Sequence, residues 1–183
     1  MGSMASGSDD ASPPAARVAQ LEAALAREQA KTRALADISA ALGSTLDLDE
    51  LLALVASKVT EVIDADRSTI YLLHDDGTHL ISRVAEGQGS AEIRLPVGEG
   101  LAGWVARSGE MLNIADAYQD VRFDAEWDRR TGYRTRSTLC VPMKNRHGRT
   151  LGVVQALNKR QGVFTEDDEA LLTALATQAG VSI

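Results

Sequence analysis

Over residues 17–42 the apolar positions recur at helical spacing. Val18, Leu21, Leu25, Leu35 and Leu42 fall on the a and d positions of one heptad frame, which Glu28, Thr32 and Ser39 interrupt. Arg17, Glu22, Arg27, Glu28, Lys31 and Arg33 occupy much of the rest. So narrow an apolar stripe predicts a helix that meets a partner helix, giving a homodimer. The alternative is that it folds back on its own domain. Gly43-Ser44-Thr45 interrupts the helix, and Asp47 with Glu50 predicts a capping box for the next one. That helix carries Leu51, Leu52, Leu54, Val55, Val59, Val62 and Ile63 on one broad apolar face.

The period then changes. Residues 68–73 form a β-rich run, Asp75-Asp76-Gly77 a tight turn, and 79–85 the returning strand. A short strand follows at 92–96. Gly98-Glu99-Gly100 opens a helix through Leu101, Ala102, Val105 and Ala106, ended by Ser108-Gly109. Residues 111–114 read as a strand, 116–134 as a long polar, irregular segment, and 138–144 and 150–157 as a last hairpin turning at 145–148. Thr165 caps a closing helix with Asp167 and Asp168 in its first turn. Helices, then hairpins, then a helix imply an α+β fold on an antiparallel sheet. A long loop inside such a domain is usually functional or disordered.

Composition narrows the function. The chain has 183 residues, 44% of them hydrophobic, enough for one domain and an extension. We divide it into a disordered tail at 1–15, a signalling and dimerisation helix at 16–45, and a domain at 46–183. Met1-Gly2-Ser3 ahead of Met4 reads as a cloning remnant, and the closing helix lacks a Gly or Pro terminator. A longer protein with an output domain beyond Ile183 is therefore expected. A net charge of −7 without a basic stripe argues against nucleic acid. No apolar run is long enough to cross a bilayer and no signal peptide is evident, so a cytoplasmic location without a membrane partner is expected.

Catalytic and metal chemistry find little support. Cys140 is the single cysteine and sits in an apolar strand, where a thiol behaves as a small hydrophobe. His74, His79 and His147 lie in or beside turns, scattered rather than paired at ligand spacing. Nothing arranges Ser, His and Asp as a triad. We expect no catalytic residues, no metal and no cofactor, and hence no enzyme.

The motifs then converge. Asn158-Lys159, Phe164 and Asp168-Glu169 form a spaced signature. Gly98-Glu-Gly-Leu-Ala-Gly-Trp-Val105, Leu112-Asn-Ile-Ala-Asp-Ala-Tyr118 and Thr131-Gly-Tyr-Arg-Thr-Arg-Ser-Thr-Leu-Cys-Val-Pro142 accompany it. On these the chain, over roughly 48–183, resembles a GAF domain, and more narrowly the regulatory GAF domains of cyclic-nucleotide phosphodiesterases and bacterial adenylyl cyclases. The resemblance implies a GAF/PAS-like antiparallel sheet flanked by helices, and a small-molecule pocket between the sheet and the long polar segment.

It further implies a role for each matching residue. Ser68 would hydrogen-bond the purine of a cyclic nucleotide (cAMP or cGMP). Leu101 and Ala102 would offer backbone N–H groups to the cyclic phosphate at a helix start, where the dipole favours an anion. Asp128, Thr131 and Thr135 would contact base and ribose-phosphate, the threonines sharing one helical turn, and Gln155 would take the ribose hydroxyl. Asn158, Lys159, Phe164, Asp168 and Glu169 would be structural, with Lys159 and Asp168 an ion-pair clamp between strand and helix. Two pocket positions depart from the family. Ala85-Glu86 replaces a frequent Phe-Asp, losing a stacking contact of about 1–3 kcal/mol. Asp124 stands where Tyr or Asn usually faces the phosphate, so it must swing away or pair with Arg122, Arg129 or Arg130. Ligand would bias the output domain through the pairing of the flanking helices. The competing reading is a dimerisation module with another ligand or none.

Overall fold

The structure, a computed structural model, describes residues 14–42, 47–85 and 92–183. The helices are α1 (Pro14–Leu42), α2 (Leu48–Ile63), α3 (Gly100–Ser108), α4 (Glu126–Thr131) and α5 (Glu166–Ser182). The strands are β1 (Ala65–Leu73), β2 (His79–Ala85), β3 (Arg94–Pro96), β4 (Leu112–Ile114), β5 (Thr138–Lys144) and β6 (Thr150–Lys159). They form one six-stranded sheet in the order β3-β2-β1-β6-β5-β4, and every neighbouring pair is antiparallel. The fold is α+β, as the change of period predicts.

Alternation along the three central strands gives the sheet two different faces. Ile70, Val154, Ala156, Leu139, Val141 and Met143 point to one side. There they pack on Leu52, Val55, Val59 and Ile63 of α2 and on Leu172, Leu175, Ala176 and Ala179 of α5. This continuous core carries most of the fold's hydrophobic stabilisation, at roughly 25 cal/mol per Å² of apolar surface removed from water. Tyr71, Val153, Cys140 and Leu112 point to the other side, where Leu101, Ala102 and Val105 of α3 cover only part of them. The uncovered remainder borders a cavity.

Several elements differ from expectation. Helix α1 begins at Pro14, inside the tail assigned to 1–15; a proline is tolerated in a first turn, where its missing N–H has no partner to lose. Residues 1–13, the Gly43-Ser44-Thr45 interruption and Glu86 lie outside the described residues. Asp47 does occupy the N-cap of α2, but its side chain makes no cap bond, so the capping box with Glu50 is not formed. The 116–134 segment is not irregular throughout: it holds a 3-10 turn at Ala117–Gln119 and the helix α4.

Helix α1 divides in two. Ala34 and Ile38, neither on the heptad frame, are buried, and Leu35 packs beside them against the core. Asp37 meets the Lys58 ammonium of α2 at 3.2 Å, and Ser39 accepts a bond from Gln178 of α5 at 3.1 Å. This inner half therefore folds back on its own domain. Residues 17–30 are exposed on every face, with Val18, Leu21 and Leu25 at 53%, 69% and 60% exposure. No helix among the described residues is long and apolar enough to cross a membrane.

The close seating of α5 on β5 yields a test. A Cβ on Gly180 would stand 2.3 Å from the Lys144 backbone carbonyl oxygen. Gly180→Ala must push α5 off the sheet, and overpacking of this kind costs about 1–3 kcal/mol. A urea titration should show a lower midpoint with an unchanged slope. An unchanged midpoint would show that the helix accommodates the methyl freely.

Candidate ligand-binding site

The cavity lies between the partly covered sheet face and the 116–137 segment, with a volume of ≈ 120 Å³. That is below the roughly 300–1,000 Å³ of typical small-molecule sites, so a ligand of that size requires the roof to move outward. Tyr71, Gln155 and Leu157 form its floor, Ile93 and Leu95 one wall, and the start of α3 another. Phe123, Asp124, Trp127 and Asp128 roof it, with Thr135 at the side.

Local sequence explains the α3 wall. Gly100 has φ +64, a conformation that strongly favours glycine, and Gly103 has no room for a Cβ because the Pro96 carbonyl oxygen would lie at 2.4 Å. The turn therefore lies tight against β3. Glu99 occupies the N-cap but its side chain makes no cap bond. The first N–H groups of α3, at Leu101 and Ala102, thus have no intrahelical acceptor and sit at the cavity wall.

The roof is held from within. Asp128 is buried and accepts three bonds: from the Tyr118 hydroxyl at 3.0 Å, from the Thr135 N–H at 2.6 Å and from the Thr135 hydroxyl at 2.9 Å. Asp128 and Thr135 both line the cavity, but each is engaged with the other. Thr131 is elsewhere: its hydroxyl donates to the Trp127 carbonyl one turn back, at 2.9 Å, and it is exposed. Gly132, at φ +70, ends α4 between the two threonines, so they do not share a helical turn as the four-residue spacing suggested. Trp127, which sequence reasoning missed, presents a buried indole N–H without a hydrogen-bond partner.

Ser68 also requires correction. It is fully buried on the α2 side of the sheet, and its hydroxyl donates to the Ala56 carbonyl at 3.0 Å. Its neighbour Thr69 pairs with Gln155 across β1 and β6, so it shares Gln155's face. Gln155 does line the cavity, its amide donating to the Thr138 hydroxyl at 3.3 Å. Asp124 neither swings away nor pairs with an arginine. Its Oδ1 accepts the Glu126 N–H at 2.8 Å, which holds it at the head of α4 on the cavity edge. Arg122 is committed to Asp120 through two side-chain bonds of 2.8 and 2.6 Å, and holds that carboxyl below its usual range.

The signature residues meet behind the cavity. Asn158, at φ 55, accepts the Arg136 N–H at 2.6 Å and donates to the Arg134 carbonyl and the Tyr133 hydroxyl at 2.9 and 2.8 Å. It thus ties the chain leaving the roof to the end of β6. The Lys159 ammonium donates to the Ile63 carbonyl at the end of α2 and to Asp168 at 2.9 Å. Asp168 completes the Thr165 capping box of α5. Phe164 is in the core, and Glu169 accepts a bond from Asn113 of β4 at 2.7 Å. Tyr133 belongs to the motif at 131–142, but nothing in the sequence assigned it a role. Its hydroxyl donates to Asp66 at 2.9 Å, and the Arg67 guanidinium lies 4.0 Å over its ring. Burial raises its phenol pKa, helped by the adjacent Asp66 carboxylate.

Burial pushes the Cys140 thiol up to about 12, so it stays protonated and poorly nucleophilic at neutral pH. Among the described residues no cluster of three or more His, Cys, Asp or Glu is placed to hold a metal ion.

The Lys159–Asp168 pair is largely buried, with side-chain exposures of 13% and 11%. Removing one partner strands the other charge, at a cost on the order of 3–5 kcal/mol. Lys159→Ala should therefore lower the melting temperature markedly. A melting temperature equal to the parent's would mean that the clamp carries no stability.

Comparison with known proteins agrees with this architecture. A structure of the GAF domain from a phosphoenolpyruvate-protein phosphotransferase of Coxiella burnetii superposes with a TM-score of 0.75 at 23% identity, covering 84% of this chain and 92% of that one. Free methionine-R-sulfoxide reductase from Neisseria meningitidis, solved in complex with its substrate, superposes at 0.70 with 22% identity, covering 83% and 87%. At these identities the likeness concerns the fold. In sequence, the chain is 38% identical over 155 residues to the dual 3′,5′-cyclic-AMP and -GMP phosphodiesterase 11A of Takifugu rubripes, covering 78% of this chain. It is 32% identical over 172 residues to the probable 3′,5′-cyclic phosphodiesterase pde-5 of Caenorhabditis elegans, covering 87% of this chain. The matches span only 17% and 24% of those two relatives. The GAF-domain family model matches residues 47–183, and the chain belongs to the GAF family.

Proposed function

We propose that this domain is the regulatory, ligand-binding part of a larger signalling protein, and that its ligand is a cyclic nucleotide. The observation that carries the reading is the cavity itself: apolar and aromatic walls, a roof of chain held by its own hydrogen bonds, and an uncapped helix start at one side. Similarity to cyclic-nucleotide phosphodiesterases supports the choice of ligand. In this reading the N–H groups of Leu101 and Ala102 receive the cyclic phosphate, and Gln155 receives the ribose hydroxyl. Phe123 and Trp127 of the roof supply the apolar contact that Ala85 does not. Asp128 and Thr135 hold the roof's shape and reach the ligand only by sharing bonds they already make.

Regulation follows from where the roof is anchored. The chain leaving α4 is tied through Tyr133 to Asn158, and Lys159 next to it holds the ends of α2 and α5. A ligand that favours one position of α4 biases the helix layer by its differential affinity for the two states. The exposed outer half of α1, with Val18, Leu21 and Leu25, is then the element that pairs with a second copy and carries the signal to an output domain.

The ligand reading is tested by thermal shift with cAMP and with cGMP. At a hundred times the dissociation constant the bound nucleotide should add about 2.7 kcal/mol of stability. No shift with either, at millimolar nucleotide, would remove cyclic nucleotides as ligands. For the helix, light scattering should find a dimer that becomes a monomer when the chain is shortened to begin at Thr45. A dimer that survives the truncation moves the interface to the domain.

A further inference from the structure

We infer that the cavity accepts a ligand carrying at most one negative charge, and that Asp124 sets this limit. The inference rests on the nucleotide reading above and narrows it: phosphodiesters are admitted and phosphomonoesters refused.

The charges around the cavity are one-sided. Residues 1–13, 43–46 and 86–91 contain no lysine or arginine, so every such side chain is among the described residues. None of them lines the cavity, and no histidine does. No arginine of the roof segment is among the residues that line the cavity. Arg122 is bound to Asp120 and lies over Trp104 at 4.7 Å. Arg134 lies over Tyr118 at 4.2 Å and Arg130 over Trp127 at 5.8 Å. Arg129 is exposed on α4 and does not line the cavity. The carboxylates of Asp124 and Asp128 do line it.

Against these, the cavity offers an anion the start of α3, equivalent to roughly half a positive charge. The roof residue Trp127 adds no charge, its indole N–H being neutral, buried and without a hydrogen-bond partner. Such a set can receive a singly charged cyclic phosphodiester. A 5′-monophosphate at pH 8 carries about two charges, its second pKa being about 6, and nothing at the cavity wall balances the second. Asp128 is already satisfied by three bonds, which spread its charge over Tyr118 and Thr135. Asp124 takes only the Glu126 N–H, on Oδ1. That bond fixes the carboxylate in place and leaves its full charge, screened only by solvent, at the cavity edge.

The experiment is isothermal calorimetry at pH 8 on the whole chain, pairing cAMP with 5′-AMP and cGMP with 5′-GMP. The parent should prefer at least one cyclic nucleotide over its monophosphate by tenfold or more. Asp124→Asn keeps the oxygen that accepts the Glu126 N–H, so α4 is retained while the charge is removed. In that variant the preference should shrink at least threefold, because the monophosphate gains more than the cyclic form. Equal binding of the two forms by the parent overturns the charge limit while leaving the nucleotide reading intact. A preference that Asp124→Asn does not change also overturns it, since ligand shape would then set the selectivity. Binding of none of the four nucleotides by either protein overturns the nucleotide reading, and the charge limit falls with it.

Discussion

Lys159 joins three parts of the chain at one point. Its ammonium holds the last carbonyl of α2 and the carboxylate at the third position of α5, and its backbone N–H bonds to Ser137 at the entrance to β5. An ammonium this far from water is tolerable only because each of its partners is an oxygen with partial or full negative charge. Asn158, in the left-handed region beside it, uses its whole amide on the chain between α4 and β5. Two adjacent residues thus connect the helix layer to the cavity roof. Without them α2 and α5 would still pack on the sheet, but the roof would be tied to the helix end of the sheet only through Tyr133, Asp66 and Arg67.

The two faces of the sheet serve different ends. One is filled by α2 and α5, and α5 sits so close to β5 that Gly180 has no space for a Cβ. Interiors of that density respond to strain by shifting as units. The opposite face is covered by short elements, the nine residues of α3 and the six of α4. Short helices held by side-chain hydrogen bonds open at lower cost than a packed core. A site with a movable roof over a stiff floor is the physical consequence.

Electrostatics set the site apart from an ordinary anion-binding cleft. In the proposed reading the element that would receive a phosphate is backbone, its helix start left uncapped, while the side chains around it carry negative charge or none. Binding therefore depends on geometry at the start of α3 more than on attraction at a distance, in a chain whose net charge is −7.

Much of the fold was legible because it depends on local pattern. Period 2 and period 3.6 separate strands from helices, glycines mark turns, and Thr165 with Asp168 announces the start of α5. The spaced signature ending in Asp168-Glu169 was enough for the family. What the sequence could not decide is which side of a strand or helix each residue occupies. Ser68 and Thr69 are adjacent polar residues, and a one-residue difference in register exchanges their faces; pairing with β6 put Thr69 toward the cavity and Ser68 under α2. Thr131 and Thr135 looked like one helical turn until Gly132 ended it. One heptad frame, interrupted at Glu28, Thr32 and Ser39, runs the length of α1 in the sequence, yet α2 and α5 bury Ala34 and Ile38 outside that frame and leave Val18, Leu21 and Leu25 in water. The sequence by itself determined the main elements other than α4, their order and the family. Tertiary packing decided which polar groups face the cavity and which face the core, because that choice depends on contacts between segments far apart along the chain.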